Sequence, residues 1–290
     1  MPLAAALSRA LGTEVAAGSE RSVGGGSINS CARFESEAGP LFVKYGEPSS
    51  LAMFQAEADG LAELAKARAV RVPNVLAVDE LEGIAFLALE WIDLRGGSSS
   101  SERKLGELLA AQHRVTRDKF GWHRDNTIGS TPQSNRETGD WVEFLREQRL
   151  RPQLTLAKSN GASKELIDSS ERLCEQLALF FTDYRPVPSL LHGDLWGGNW
   201  GSDASGQPVL FDPAVYFGDR EADLAMTRLF GGFGASFYSA YQSAWPLDAG
   251  ATSRVTLYNL YHVLNHFNLF GGGYLRQALG MIQRLLAELH

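Results

Sequence analysis

Leu191-His192-Gly193-Asp194-Leu195-Trp196-Gly197-Gly198-Asn199, followed by Phe211-Asp212-Pro213, is the stretch that decides how this 290-residue chain is read. Two short apolar segments, Leu190-Leu191 and Val209-Leu210-Phe211, read as buried strands that present polar residues at their ends. An Asp, an Asn and a second Asp are the set that phosphoryl transfer to a hydroxyl needs. One carboxylate orients the attacking oxygen and takes its proton. An amide oxygen and a second carboxylate hold a metal on the nucleotide phosphates. Asp194 is the candidate base, and Asn199 and Asp212 are the candidate metal ligands. His192 reads as a hydrogen-bonding brace for the loop. Short Asp, Asn and Gly clusters also form ordinary turns, so the weight of this run depends on what lies upstream.

The five-residue step from Asp194 to Asn199 is that of the kinase catalytic loop, and upstream residues supply matching parts. Lys44 sits in the strand-like Leu41-Phe42-Val43-Lys44-Tyr45. Glu57 shares a helical face with Met53, Gly60, Leu61 and Leu64, the face expected to pack on a sheet. A carboxylate on an inward face is costly unless paired, and Lys44 is its obvious partner. Such a pair holds the ammonium toward nucleotide phosphates. Gly24-Gly25-Gly26-Ser27 falls between two strand-like segments. It reads either as a phosphate-approaching turn or as a plain hairpin tip, and it lacks the Gly-Lys-Ser/Thr of a Walker A loop. Glu90-Trp91-Ile92 ends the last strand of this half. It reads as the hinge whose backbone would meet an adenine edge, or as an ordinary strand end.

Composition sets bounds on the class. Apolar residues make up 44% and charged residues 21%, as in a globular protein. The net charge of −7 argues against a nucleic-acid or anionic-membrane partner. No apolar run is long enough for a membrane span, and the start of the chain makes a poor signal peptide, Leu3, Leu7, Ala10 and Leu11 reading instead as a helix stripe. The two cysteines, Cys31 and Cys174, lie far apart and form no CxxC. A cytoplasmic protein is the expectation. Residues 1–93 predict a small antiparallel sheet carrying one helix, with strands over 22–35, 41–45, 75–78 and 84–92 and a helix over 51–67. Gly96 to Ser101 reads as a solvated loop just past the lobe junction. Residues 94–290 read as mostly helical, with 120–139 irregular. The fold class is therefore α+β, a protein-kinase-like fold of two lobes.

Further letters make the reading specific. His192 to Asn199, and Asp212-Pro213-Ala214-Val215-Tyr216-Phe217-Gly218-Asp219-Arg220-Glu221, resemble the fructosamine-3-kinase (ketosamine-3-kinase) family, within the aminoglycoside phosphotransferase-like branch of the protein-kinase fold. Asn126 to Gln133, Asp140-Trp141, Phe230 to Phe233 and Tyr258 to Asn268 fit the same pattern. The resemblance implies ATP-dependent phosphorylation, with Mg2+, of the 3-hydroxyl of a ketosamine. Once phosphorylated, that adduct of a sugar on lysine or a small amine is unstable and breaks down, freeing the amine. It implies that Lys44 holds phosphates and Glu57 orients it, that Asp194 is the base, and that Asn199 and Asp212 bind magnesium. Some members carry a Cys where this chain has Ser27.

Trp196, two residues beyond Asp194, is the first candidate for a sugar platform, and a core brace for the loop is its other reading. Asn265 and His266 are further substrate candidates on a late helix. His262 and His266 have zinc-like spacing but read as helix packing, and Asp219 and Glu221 read as an ammonium site or a helix start. The rivals are an aminoglycoside or choline kinase, which would favour an acidic acceptor cleft, and a non-catalytic pseudokinase, against which Lys44, Asp194, Asn199 and Asp212 all stand. A monomer or weak dimer acting on a free or protein-bound ketosamine is expected.

Overall fold

Alternation along two strands explains the first half of the molecule. In the computed structural model, which describes residues 2–24 and 30–289, α1 (Pro2–Leu11) precedes β1 (Arg21–Ser22), β2 (Ser30–Ser36) and β3 (Gly39–Gly46). A short 3-10 turn and α2 (Leu51–Lys66) lead to β4 (Val75–Leu81) and β5 (Ile84–Glu90). The five strands form one antiparallel sheet in the order β1-β2-β3-β5-β4. Successive side chains of a strand point to opposite faces. Leu41, Val43, Phe86 and Ala88 therefore meet Leu3 and Leu7 of α1 on one face. Leu87 and Leu89 meet Phe54, Leu61 and Leu64 of α2 on the other. Lys44, one residue past Val43, is thereby sent to the α2 side.

The remaining elements are α3 (Ser99–His113), the hairpin β6 (Asn126–Ile128) and β7 (Thr131–Gln133), and α4 (Trp141–Phe144). A wider helical segment over Leu145–Leu150 then runs into α5 (Arg151–Ser159). After α6 (Lys164–Gln176) come β8 (Ser189–Leu191), β9 (Trp200–Ser202), β10 (Pro208–Leu210) and β11 (Tyr216–Gly218). The chain closes with α7 (Glu221–Leu229), α8 (Ala235–Ala244), α9 (Ala251–Phe270) and α10 (Tyr274–Glu288). This is the two-lobed protein-kinase-like α+β fold, a small antiparallel sheet with its helix followed by a mostly helical half. Among the described residues no helix is long and apolar enough to cross a membrane.

Two expectations fail. The Ser-rich stretch is not all loop: α3 begins inside it, because Ser98 and Ser101 cap one another reciprocally, each hydroxyl accepting from the other's backbone N–H. Composition hid a capping box. Residues 120–139 are not all irregular either, since they contain the β6–β7 hairpin, whose strands of three residues are too short to show a period. Helix also continues from Trp141 to Ser159 through Pro152, which occupies the start of α5.

Candidate active site

Lys44, Glu57, Asp194, Asn199 and Asp212 converge on one side of a cleft of about 770 Å³ between the sheet and the helical half. The Lys44 ammonium lies 2.9 Å and 2.8 Å from the two oxygens of Glu57 and 2.6 Å from Asp212 Oδ1. Lys44 and Glu57 are both buried, 7% and 8% exposed, while the Asp212 side chain is half exposed to the cleft. Burial alone would lower the Lys44 pKa. The two carboxylates outweigh it and hold the ammonium well above its ordinary value. Loss of solvent likewise works against ionisation of Asp212, and Lys44 overcomes it, keeping that carboxyl below its usual range. A fixed cation thus sits between the carboxylate of the helix and that of the opposite lobe.

The loop from His192 to Asn199 is held tightly. Gly193 has φ 84°, and a Cβ there would meet the Ala214 carbonyl oxygen at 2.0 Å, so only glycine fits. His192 donates from Nε2 to the Phe211 carbonyl at 3.0 Å and accepts at Nδ1 from the Asp194 N–H at 3.3 Å. Burial lowers its pKa, so the ring is a neutral link between the two loops. Asn199 Nδ2 donates to the Asp194 carbonyl at 2.9 Å and to Asp194 Oδ2 at 3.1 Å. Its Oδ1 is left as the amide's ligating atom. Burial, reinforced by the charge of Asp212, pushes Asp194 up to about 8. Asp212 itself adopts φ 58°, an uncommon conformation for a non-glycine residue and one concentrated at functional sites.

Three further groups, missed in the sequence, hold this geometry. Asp223 of α7 accepts from the backbone N–H of His192 at 2.7 Å and of Gly193 at 2.9 Å. Its Oδ2 also faces His113 Nε2 at 3.2 Å. The segment after Asp212 is gripped from the hairpin: Asn126 Nδ2 donates to the Val215 carbonyl at 2.8 Å and Gln133 Nε2 to the Ala214 carbonyl at 3.3 Å. Asn126 Oδ1 accepts in turn from Gln133 and Asn135, at 2.8 Å and 2.9 Å. Asn135 accepts from the buried Arg149 at 2.7 Å, whose guanidinium lies 4.0 Å from the Tyr216 ring centroid. The wider turn of helix over 145–150 brings Arg149 inward. These residues sit about 30 to 90 positions from the loops they brace, and no local spacing signals such pairing.

At the end of β5, the Glu90 N–H donates to the Asn74 carbonyl at 3.0 Å and the Trp91 N–H to the Pro40 carbonyl at 3.3 Å. Ile92 lines the cleft. Its N–H has no hydrogen-bond partner among the described residues. Gly24 lines the same end, while Gly25, Gly26 and Ser27 lie outside the described residues.

The other end of the cleft is aromatic. Trp196 is exposed, its indole lying over Gly198, where a Cβ would meet the ring at 2.2 Å. It is therefore no core brace. It makes an edge contact with Phe230 at 6.3 Å, and Phe230 lies 4.8 Å from His266. His266 Nδ1 donates to the His262 carbonyl at 2.8 Å. Asn265 is buried and engaged on both sides, donating to the Ile128 carbonyl at 3.3 Å and accepting from Gln153 at 3.1 Å. Asp219 and Glu221 do not form an ammonium site. Asp219 is fully buried and accepts from the Tyr184 and Tyr258 hydroxyls, and Glu221 pairs with Arg254 at 2.7 Å and 2.9 Å. Among the described residues no three His, Cys, Asp or Glu side chains cluster as a metal site.

The family model for fructosamine kinases matches residues 1–288. A probable ketoamine kinase of Synechocystis is 43% identical over 267 residues, 92% of this chain and 90% of its own. The chloroplastic protein-ribulosamine 3-kinase of Arabidopsis thaliana is 43% identical over 271 residues, 92% of this chain and 82% of its own. The crystal structure of a candidate fructosamine-3-kinase from Haemophilus somnus superposes with a TM-score of 0.89 at 30% identity, covering 98% of this chain and 97% of that one. With a cleft built for phosphoryl transfer and matches along its whole length, the chain belongs to the fructosamine kinase family.

Proposed function

We propose that this protein is an ATP-dependent ketosamine kinase that phosphorylates the 3-hydroxyl of its acceptor. The observation that carries the reading is the Lys44 ammonium fixed between Glu57 and Asp212, beside an Asp194 carboxylate held by Asn199. The names of the ketoamine and ribulosamine kinases that it resembles supply the acceptor class. The lobes divide at 93/94, and the adenine edge meets the hinge at Glu90, Trp91 and Ile92, with the Ile92 N–H as its donor. Lys44 holds the phosphates, with Gly24 lining the same end of the cleft.

The donor set suits magnesium. Asp212 and Asn199 offer two hard oxygen ligands facing the cleft, and this ion is bound through one or two protein oxygens together with substrate phosphates. When bound it neutralises charge on the phosphates. The acceptor lies on Trp196 and His266, with Asn265 steadying the hairpin beside them. Asp194 orients the 3-hydroxyl and accepts its proton as the oxygen bonds to the γ-phosphorus and the bond to ADP breaks. Most of the rate enhancement comes from positioning and charge complementarity.

Substitution Asp194→Asn tests the assignment. Its side chain cannot take the proton, so turnover falls by roughly 10²–10⁴-fold, while ATP binding, measured calorimetrically, persists. Undiminished turnover in that variant contradicts the role given to Asp194.

A further inference from the structure

Exposed large aromatics are few in this protein, and three of them, Trp196, Phe230 and Phe270, gather at the acceptor end of the cleft. Their rings form a continuous run. Trp196 touches Phe230, Phe230 touches His266, and His266 touches Phe270 at 5.6 Å and Tyr274 at 5.2 Å. The run starts two residues beyond Asp194 and ends at Phe270, 57% exposed at the C-terminal end of α9. Asp194 is the one carboxylate at this end of the cleft among the described residues, and neither Lys nor Arg lines it. Glu57 and Asp212 stand with Lys44, and Glu90 at the hinge pairs with Arg71 and Asn74.

We infer that this aromatic wall is the subsite for the amine-derived part of the acceptor, and that its occupant is an unbranched alkyl chain such as the methylenes of a lysine side chain. The inference rests on the ketosamine reading and deepens it. A sugar whose hydroxyl reaches Asp194 has its amine substituent directed along the wall, because the other end of the cleft holds the phosphate groups. An alkyl chain gains by covering the exposed rings. A charged group there finds no partner. The wall ends at solvent, so the far end of the chain can belong to a peptide.

The test is a pair of fructosamines, made from methylamine and from n-pentylamine, assayed with ATP. A fully buried methylene is worth about fourfold in binding, and a wall open on one side about half of that energy. The parent enzyme should therefore favour the pentylamine adduct in kcat/KM on the order of tenfold. Phe270→Ala should bring the ratio to near one, and Phe270→Leu, which restores apolar area, should recover most of it. Melting temperature and KM for ATP report whether each variant is folded and binds nucleotide. A parent ratio near one, or a ratio that Phe270→Ala leaves intact, overturns the subsite. If the folded parent phosphorylates neither adduct, the ketosamine reading itself has failed, and the subsite falls with it.

Discussion

The two ends of the cleft solve opposite problems. The phosphate end concentrates charge and gives each charge a partner, Lys44 with Glu57 and Asp212, and where the two ends meet Asp194 has the Asn199 amide. The acceptor end avoids charge. Its histidine His262 is buried, and loss of solvent, reinforced by His266, depresses its pKa to about 3. Its surface is rings, and its amides face inward to hold the hairpin and α9. The difference teaches that reaction and acceptor are specified separately. In the proposed reading, charge placed on rigid strand ends gives phosphoryl transfer, and the neutral wall selects what carries the hydroxyl.

The largest effect is expected at the phosphate end. Lys44→Met removes the partner of a buried carboxylate and should destabilise the fold by about 3–5 kcal/mol, besides abolishing turnover. The double variant Lys44→Met/Glu57→Leu should regain most of the melting temperature and none of the activity. If the double variant melts as low as the single one, Glu57 is not held by Lys44 in the way described.

A smaller effect is expected where the hairpin grips the segment after Asp212. Gln133→Leu deletes the donor to the Ala214 carbonyl and the acceptor of the Tyr261 hydroxyl. Partners of this kind are worth roughly 10–100-fold in metal affinity or activity, so binding of Mn2+ to the ADP complex should weaken by about that factor. Unchanged Mn2+ affinity would separate the hairpin from the phosphate end.

The smallest effect at neutral pH is at His262. The unfolded chain takes up a proton near 6.5, while the folded ring resists until about 3, so stability falls with the pH across that window. His262→Gln should match the parent in melting temperature above pH 7 and exceed it increasingly toward pH 4. Equal acid sensitivity would show that the ring is solvated, against the neutral character given to that end.

The same contrast explains what the sequence made legible. Lys44, Glu57, Asp194, Asn199 and Asp212 could be found because strand alternation, helix periodicity and a five-residue step are local patterns. Gly193 was part of the same run, though its reason, the Ala214 carbonyl against it, appears only in three dimensions. Asp223 and Arg149 were not found, and Asn126 and Gln133 were given no role, because Asp223, Asn126 and Gln133 act on backbone far away in the chain, Arg149 on the distant Tyr216 ring, and a buried amide looks in sequence like any surface amide. Phe270 and Tyr274 were invisible for a related reason. Aromatics at helical spacing read as core, and only the turn between α9 and α10, with Gly271 and Gly272 at positive φ, leaves them at a rim.

The most direct measurement is the position of the new phosphate. The protein should be incubated with ATP and either a fructosamine or an aminoglycoside, and the product examined by phosphorus and proton NMR. The expected product carries one phosphomonoester on O3 of the ketosamine, with none on the aminoglycoside. Phosphate on the aminoglycoside, or on another hydroxyl of the ketosamine, would contradict it.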